Sequence, residues 1–146
     1  MVGSGGYPQS ETVCVKADGS GEIMWTNKQK NYEQSMLIHR GHVFCVNDNG
    51  IAYCWDLETG KQKWKSRLAG PVSASPTLIG DRIYASNEKG TTFVFEANPD
   101  KFQSLGTNQL GDEAFATPTI LDGKIYARVA SGKGPGRQET LYCIGK

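Results

Sequence analysis

The chain alternates apolar and polar residues over short stretches that end at turns rich in Gly, Asn and Asp. Residues 75–98 contain three such stretches, and the middle one, 82–86, places Ile83 and Ala85 on one face and Tyr84 on the other. Alternation of this kind predicts β-strands, and the Gly-, Asn- and Asp-containing segments predict tight turns. No segment has a helical period of convincing length. The pattern therefore predicts an all-β protein.

The same reading along the chain gives a series of short antiparallel strands. We predict strands at 11–17, 22–27, 35–38, 42–46, 51–56, 61–68, 75–79, 82–86, 91–97, 102–109, 117–121, 124–129 and 140–145. The first ten residues are rich in Gly and Ser, so they form either a loop or, over residues 1–4, the end of a further strand.

The strands fall into a repeat. Phe44, Tyr84 and Tyr126 occupy equivalent places 40 and then 42 residues apart, and Trp25 and Trp64 are 39 residues apart. A period near 40 with four short strands per unit predicts the blades of a β-propeller. One four-stranded sheet cannot bury both of its faces alone, so successive units stack face to face.

We therefore predict a single partial β-propeller over residues 1–146, built from blades of four antiparallel strands and holding about three blades' worth of sheet. Its repeat units are a partial blade at 11–27, full blades at 35–68 and 75–109, and a second partial blade at 117–146. Closed propellers have about four to eight blades. The chain is thus expected to be a fragment of a longer propeller or to associate with other chains.

Composition excludes several classes of partner. The 146 residues carry 16 basic and 15 acidic side chains, a net charge of +1, which gives no electrostatic reason to expect nucleic acid. No apolar run approaches the roughly 20 residues that span a bilayer, so we expect no membrane insertion. The first ten residues have neither a basic nor an apolar signal region, so we expect no secretory signal in this chain.

Residues 54–64, CWDLETGKQKW, resemble the repeat A-x-D-x-x-T-G-x-x-x-W of the PQQ-like (quinoprotein-type) β-propellers. The residues that fit the repeat of this family are Trp25, Asp56, Thr59, Gly60, Trp64, Pro76 and Pro118. The third copy departs from it, because residues 98–100 replace the Thr-Gly turn and Leu105 or Phe102 stands where the tryptophan is expected. The chain looks like the C-terminal part of a larger bacterial PQQ-like or BamB-like repeat protein, which suggests the cell envelope or periplasm as its location.

The resemblance implies structural roles for these residues. Trp25 and Trp64 are expected to pack between blades, with each indole N–H donating to a backbone acceptor. Asp56 and Thr59 are expected to form the turn, with the carboxylate accepting backbone N–H groups.

The four cysteines are best interpreted as small apolar residues. Cys14, Cys54 and Cys143 occupy equivalent places, where the remaining copy has Val94, and Cys45 aligns with alanines. A residue that exchanges with Val or Ala within its own repeat behaves as a buried hydrophobe. There is no C-x-x-C pair, so the spacing of a zinc site is missing.

Two further features suggest chemistry only superficially. His39 and His42 flank a turn without an evident third metal ligand, and we expect them to be surface turn residues. The Gly-rich segment 131–136 is followed by a predicted strand, whereas a phosphate-binding loop needs a helix N-terminus. We expect it to be a flexible connection.

A possible interaction loop lies before and within the last unit. Asp112, Glu113 and Phe115 precede its first strand, and Arg137 follows the Gly-rich segment. We predict a non-catalytic module that acts as a protein-interaction or structural scaffold, without catalytic, cofactor-binding or metal-binding residues. Its protein partner is not identified by the sequence.

Self-association is a second expectation. An open stack of blades exposes two apolar faces, and patches of that size usually mark association surfaces. The N-terminal strands could also complete the unfinished last blade of another chain. The alternative function is part of a PQQ-dependent dehydrogenase, in which the resemblance implies a calcium ion, a Glu, an Asn, an Asp base and often a vicinal Cys pair. We find no such cluster in the sequence.

Overall fold

The computed structural model describes residues 2–5 and 10–145, and over these residues it is all-β. They form fourteen strands and one short 3-10 turn, at Gly134–Gly136. The strands are β1 (Val2–Gly5), β2 (Glu11–Val15), β3 (Ile23–Asn27), β4 (Leu37–His39), β5 (His42–Val46), β6 (Ile51–Asp56), β7 (Gln62–Arg67), β8 (Thr77–Ile79), β9 (Arg82–Ser86), β10 (Thr91–Glu96), β11 (Ser104–Gln109), β12 (Thr119–Leu121), β13 (Lys124–Ser131) and β14 (Gln138–Ile144). Among the described residues, no helix is long and apolar enough to cross a membrane.

The strands form four antiparallel sheets in chain order, which confirms the predicted blade architecture. The first sheet is β1-β2-β3, the second β4-β5-β6-β7, the third β8-β9-β10-β11 and the fourth β12-β13-β14. In the second sheet Cys54 lies opposite Trp64, and in the first sheet Cys14 lies opposite Trp25. This register makes β3 equivalent to β7, so the first sheet comprises the second, third and fourth strands of a blade. The fourth sheet comprises the first three.

The structure adds one strand to the sequence prediction. Two strands were predicted ahead of the second sheet and there are three, because β1 pairs with β2 from Val2↔Cys14 to Gly5↔Glu11. Gly and Ser have low strand propensity, so this strand depends on the neighbour that supplies its hydrogen bonds. Met1 lies outside the described residues. The hairpin of β13 and β14 is also longer than predicted, since pairing continues to Ser131↔Gln138.

The second sheet is buried on both faces. Alternate residues of β5 point to opposite sides, so Val43 and Cys45 face the first sheet while Phe44 and Val46 face the third. Two apolar clusters result. The cluster between the first and second sheets consists of Cys14, Trp25, Val43, Cys45, Tyr53 and Trp55. The cluster between the second and third sheets consists of Phe44, Val46, Ala52, Cys54, Trp64, Val72, Ile83, Ala85, Phe95 and Ala97.

Polar contacts repeat from sheet to sheet next to the first strand of each blade. The backbone N–H of Ser35 donates to Ser75 Oγ, and the N–H of Ser75 donates to Thr117 Oγ1, both at 2.9 Å. The tight turns repeat as well, because the buried Asn47 and Asn87 each accept two backbone N–H groups with one side-chain oxygen. These hydrogen bonds fix the stacking of sheets that the apolar clusters stabilise.

Candidate functional site

The turn that follows Asp56 packs against the indole ring of Trp25 in the preceding sheet. Asp56 Oδ1 accepts the N–H of Glu58, the N–H of Thr59 and the hydroxyl of Thr59 at 3.2, 2.9 and 2.7 Å. These bonds, led by the one from the Thr59 hydroxyl, lower the pKa of Asp56. Gly60 has a φ of +70°, and a Cβ placed on it would lie 2.5 Å from Trp25 Cδ2. The turn therefore needs glycine, both for its backbone and for the close approach of the ring.

Trp25 and Trp64 act as wedges between neighbouring sheets. The indole Nε1–H of Trp25 donates to Leu57 O, and that of Trp64 donates to Asn98 O, each at 2.8 Å. Both acceptors lie just after the third strand of the next sheet. Trp25 contacts Trp55 with ring centroids 6.5 Å apart. Each indole thus buries its rings against the next sheet while its N–H is satisfied by the same sheet.

The third sheet has no such wedge. Gly106 lies opposite Val94 in β11, the place that Trp64 takes opposite Cys54. The sequence assigned this place to Leu105 or Phe102, which is wrong. Leu105 is 45% exposed, and Phe102 packs on Trp64 with ring centroids 5.5 Å apart.

Pro76 and Pro118 are buried and stand directly before the first strands of the third and fourth sheets. Thr77 Oγ1 donates to Pro118 O at 3.1 Å, which joins these two strands. A proline at this point gives up no ladder hydrogen bond, because the strand begins at the next residue.

The predicted interaction residues lie at the loop before the fourth sheet and at the end of its hairpin. Arg137 Nε donates to Glu113 Oε2 at 2.7 Å, and its Nη2 donates to Glu139 Oε1 at 3.0 Å. Arg128 Nε donates to Glu139 Oε2 at 2.7 Å, and its Nη2 also binds this oxygen. We name Glu113, Arg128, Arg137 and Glu139 the Glu113 cluster. It lines a cavity of about 60 Å³ together with Phe115.

Hydrogen bonding within the Glu113 cluster shifts the pKa values of Glu139 and Arg137. Hydrogen bonds from Arg128 and Arg137 hold the pKa of Glu139 below its usual value. Bonds to Glu113 and Glu139 raise the pKa of Arg137. Both shifts favour the charged forms of Glu139 and Arg137.

The two other predicted loop residues flank the Glu113 cluster. Phe115 is 52% exposed beside it. Asp112 lies apart from the arginines, because its Oδ2 accepts the N–H of Gly132 at 2.9 Å. Sequence reasoning missed Arg128 and Glu139. Arg128 lies on β13 and Glu139 on β14. The hairpin pairs Glu139 with Ala130, which is two residues from Arg128 on the same face of β13, so the side chains of Arg128 and Glu139 meet.

The cysteines are free, and three of them are buried as predicted. Burial raises the pKa of the Cys54 thiol to about 12 and raises that of Cys45 even further. Cys143 departs from the prediction, because it is exposed. It occupies the place of Cys54, whose side chain is covered by the next sheet, and no described residues cover the corresponding face of the fourth sheet.

The histidine turn makes a contact between sheets that the sequence did not indicate. His39 Nε2 lies 2.8 Å from Asp81 Oδ1, and Arg40 Nη2 lies 3.1 Å from the same oxygen. The His39 hydrogen bond is the main cause of a lowered pKa of Asp81. His42 Nδ1 lies instead 2.9 Å from Arg40 O. Over residues 2–5 and 10–145, no three His, Cys, Asp or Glu side chains are grouped so that they could hold a metal ion.

Comparisons with known proteins agree with the architecture. In sequence, the chain is 26% identical over 117 residues to the outer membrane protein assembly factor BamB of Shewanella oneidensis, covering 78% of this chain and 29% of that protein. It is 24% identical over 101 residues to the factor of the same name from Yersinia pestis, covering 62% and 25%. The chain thus spans less than a third of the length of these curated relatives.

Solved structures show the same fold. The crystal structure of BamB from Moraxella catarrhalis superposes with a TM-score of 0.73 at 16% identity, over 96% of this chain and 45% of that one. A europium-containing methanol dehydrogenase superposes with a TM-score of 0.60 at 15% identity, over 76% and 23%. At such identities the likeness shows a PQQ-like β-propeller fold alone.

A match to a family model establishes the family to which the chain belongs. The model described as outer membrane protein assembly factor BamB matches residues 8–101, which are 94 of the 146 residues. Since this is well over half of the sequence, the chain belongs to the family of the outer membrane protein assembly factor BamB.

Proposed function

We propose that this chain is a non-catalytic β-propeller module that binds a protein partner in outer-membrane protein assembly. The observation that carries the proposal is the exposed Phe115 beside the Glu113 cluster. Membership of a family described as an assembly factor supports it. The repeat residues support it as well, because Trp25, Asp56 and Trp64 have their polar groups bonded within the stack.

The surface around Phe115 has the composition of a binding hot spot. Aromatic and Arg side chains are enriched at the energetic centre of protein interfaces, with polar groups around them that exclude water. Phe115 supplies an exposed ring, and Arg137 supplies a guanidinium that Glu113 and Glu139 hold in place. A partner would meet a pre-oriented guanidinium, which lowers the entropy cost of binding.

Photo-crosslinking tests this proposal. A photoreactive amino acid is placed at position 115 and, as a matched control, at the exposed position of Tyr32 in the loop between the first and second sheets. We expect the probe at 115 to label a component of outer-membrane protein assembly in envelope extracts, and the probe at 32 not to do so. Equal labelling from both positions, or none from 115, would contradict the proposal.

Affinity measurements then test individual residues. Truncation of a hot-spot residue costs about 2 kcal/mol or more, which is roughly 30-fold in Kd, so Phe115→Ala should weaken binding of the identified partner by that factor. Arg137→Ala should also weaken it. Both variants should keep the circular dichroism spectrum of the wild type, and loss of folding would count against the assignment of these residues to a binding site.

We also propose that chains self-associate through the apolar faces at the two ends of the stack. Leu141 is 70% exposed on the fourth sheet beside the exposed Cys143, and Ile23 and Met24 are exposed on the first. The first sheet already holds three paired strands, whereas the free edge of the fourth offers one strand position. This favours stacking of faces over completion of the last blade by N-terminal strands.

Light scattering after size exclusion tests self-association across a dilution series. We expect the wild type to form dimers or higher species and Leu141→Glu to shift them towards monomer, because a charge would be buried in the interface. Leu105→Glu, at an exposed place on β11, is the control and should leave the distribution unchanged. A monomeric wild type over the whole series would refute the proposal.

A further inference from the structure

The interface between the third and fourth sheets contains an apolar cleft at the place where each of the other two interfaces holds a tryptophan indole. Its walls come from β9, β10 and β11 on one side and from β13 and β14 on the other. We name it the Gly106 cleft after the residue that replaces the wedge tryptophan. Its principal residues are Tyr84, Val94, Gly106, Asn108, Ile125 and Ile144.

The repeat shows what occupies this place elsewhere in the chain. Trp25 lies against Trp55, and Trp64 lies against Phe95, the residues that directly follow Cys54 and Val94. Ile144 follows Cys143 and is the equivalent residue of the fourth sheet. Gly106 has no side chain that could contact Ile144, and a Cβ built on Gly106 meets no heavy atom within 4 Å.

The part of the cleft between the two sheets is mostly apolar, and a more open, more polar part continues from it beside Gly106. Two adjoining cavities of about 480 and 330 Å³ share Tyr84 and Asn108 as lining residues. Pockets that hold small molecules have volumes of about 300–1,000 Å³ and apolar walls with a few polar groups. The polar groups here include Asn108 and the hydroxyl pair of Ser86 and Thr92, whose oxygens are 2.8 Å apart.

We propose that the Gly106 cleft binds a flat bicyclic aromatic small molecule of the indole class. Such a molecule would take the position relative to Ile144 that the Trp64 indole takes relative to Phe95. Tyr84 supplies an aromatic ring, and Val94 and Ile125 supply aliphatic surface. The binding gain is the removal from water of two apolar ring faces and of the cleft walls. This site is independent of the proposed protein-binding function.

Titration with indole tests the proposal. Binding is measured by isothermal titration calorimetry or by ligand-observed nuclear magnetic resonance. Ala127 lines the cleft from β13, so Ala127→Phe fills it. Leu121→Phe is the matched control, since Leu121 is exposed on β12 of the same sheet and does not line the cleft. We expect saturable binding of one indole per chain, weakened at least about tenfold by Ala127→Phe and unchanged by Leu121→Phe.

A second variant that fills the cleft keeps the proposal testable if Ala127→Phe does not fold. Gly106→Trp restores the residue of the repeat, although the φ of +157° at Gly106 requires the backbone to rotate towards an ordinary strand conformation. It should also abolish indole binding. Imidazole, a flat but polar probe, should not bind. The proposal is overturned if wild-type chain shows no saturable indole binding, if imidazole binds equally well, or if the folded filling variants bind indole as the wild type does.

Discussion

Truncation of Trp64 tests whether the indole wedges hold the stack together. Trp64 is 9% exposed and lies within 6.5 Å, centroid to centroid, of three aromatic rings: Phe44, Phe95 and Phe102. The substitution Trp64→Ala leaves a cavity in the larger of the two apolar clusters. It also leaves Asn98 O without its indole donor.

The size of the effect follows from these two losses. Truncation of a buried Phe or Trp to Ala costs about 3–5 kcal/mol, and an unsatisfied buried acceptor adds about 1 kcal/mol. Domains are stable by only about 5–15 kcal/mol, so this single change removes a large part of the total. For a chain of this length we expect the Tm to fall by about 13–20 °C. Trp64→Phe keeps one ring and should cost about half as much.

Urea unfolding followed by circular dichroism measures these differences, because the fluorescence of the removed indole cannot serve as a common probe. Leu105→Ala is the control. Its side chain is 45% exposed, so it should cost less than about 1 kcal/mol. The reasoning would be refuted if Trp64→Ala cost no more than Leu105→Ala, since the interface would then not depend on the wedge.

Three further predictions concern single residues. Gly60→Ala should lower the free energy of unfolding in urea by about 2–4 kcal/mol, because a Cβ in this left-handed backbone would meet the Trp25 ring. Gly80→Ala is the control, since its Cβ would meet nothing within 4 Å and it should cost only the backbone strain. Equal costs for the two variants would count against the ring contact. A thiol reagent should label only Cys143 rapidly in the native chain and all four cysteines after unfolding, and rapid labelling of a second thiol would contradict the described burial. The folded-state pKa of Glu139 lies below its ordinary value of 4.5, so its pairs stabilise the fold above that value and the gain is lost as pH falls through the folded-state pKa. Glu139→Gln should therefore flatten the pH dependence of stability as the pH falls through 4.5 and below, and an unchanged slope would contradict this.

The sheets were predictable from sequence because strands β2 to β14 each carry a signal of their own. The turns after β5 and β9 have Asn-rich or Gly-containing sequences 40 residues apart, and Asn47 and Asn87 bind equivalent backbone groups there. Strand β1 carries no such signal. Its Gly and Ser residues pair through the backbone with β2, and a pattern of side chains cannot report that contact.

The wedge position of the third sheet was not predictable by counting along the chain. A register shift between Val94 and Phe95 places Gly106, not its neighbour Leu105, opposite Val94. The first and second sheets have the same irregularity at the same place, and there the tryptophan itself marks the position. Where glycine replaces the aromatic residue, only the hydrogen-bond register identifies the equivalence.

Two of the four residues of the Glu113 cluster were predictable from the sequence. Glu113 and Arg137 stand in loops, where exposed charge suggests interaction, and the sequence analysis selected both. Arg128 and Glu139 belong to strands of the last hairpin, and their contact depends on pairing that continues beyond the predicted strand ends. Charged residues on an exposed strand face are common, so nothing in the pattern distinguished these two from solvated side chains.

The candidate sites coincide with the interface that has least apolar packing. The first two interfaces each contain an apolar cluster with an indole wedge, whereas Tyr84, Ile125 and other residues of the third remain half-buried. In a stack of repeats, stability is approximately a sum of units and nearest-neighbour interfaces, so the fourth sheet is the least strongly held. Binding surfaces are drawn from the less stable parts of a fold. Arg128 lines both the small cavity of the Glu113 cluster and the Gly106 cleft, so the two candidate sites lie side by side at this least packed interface.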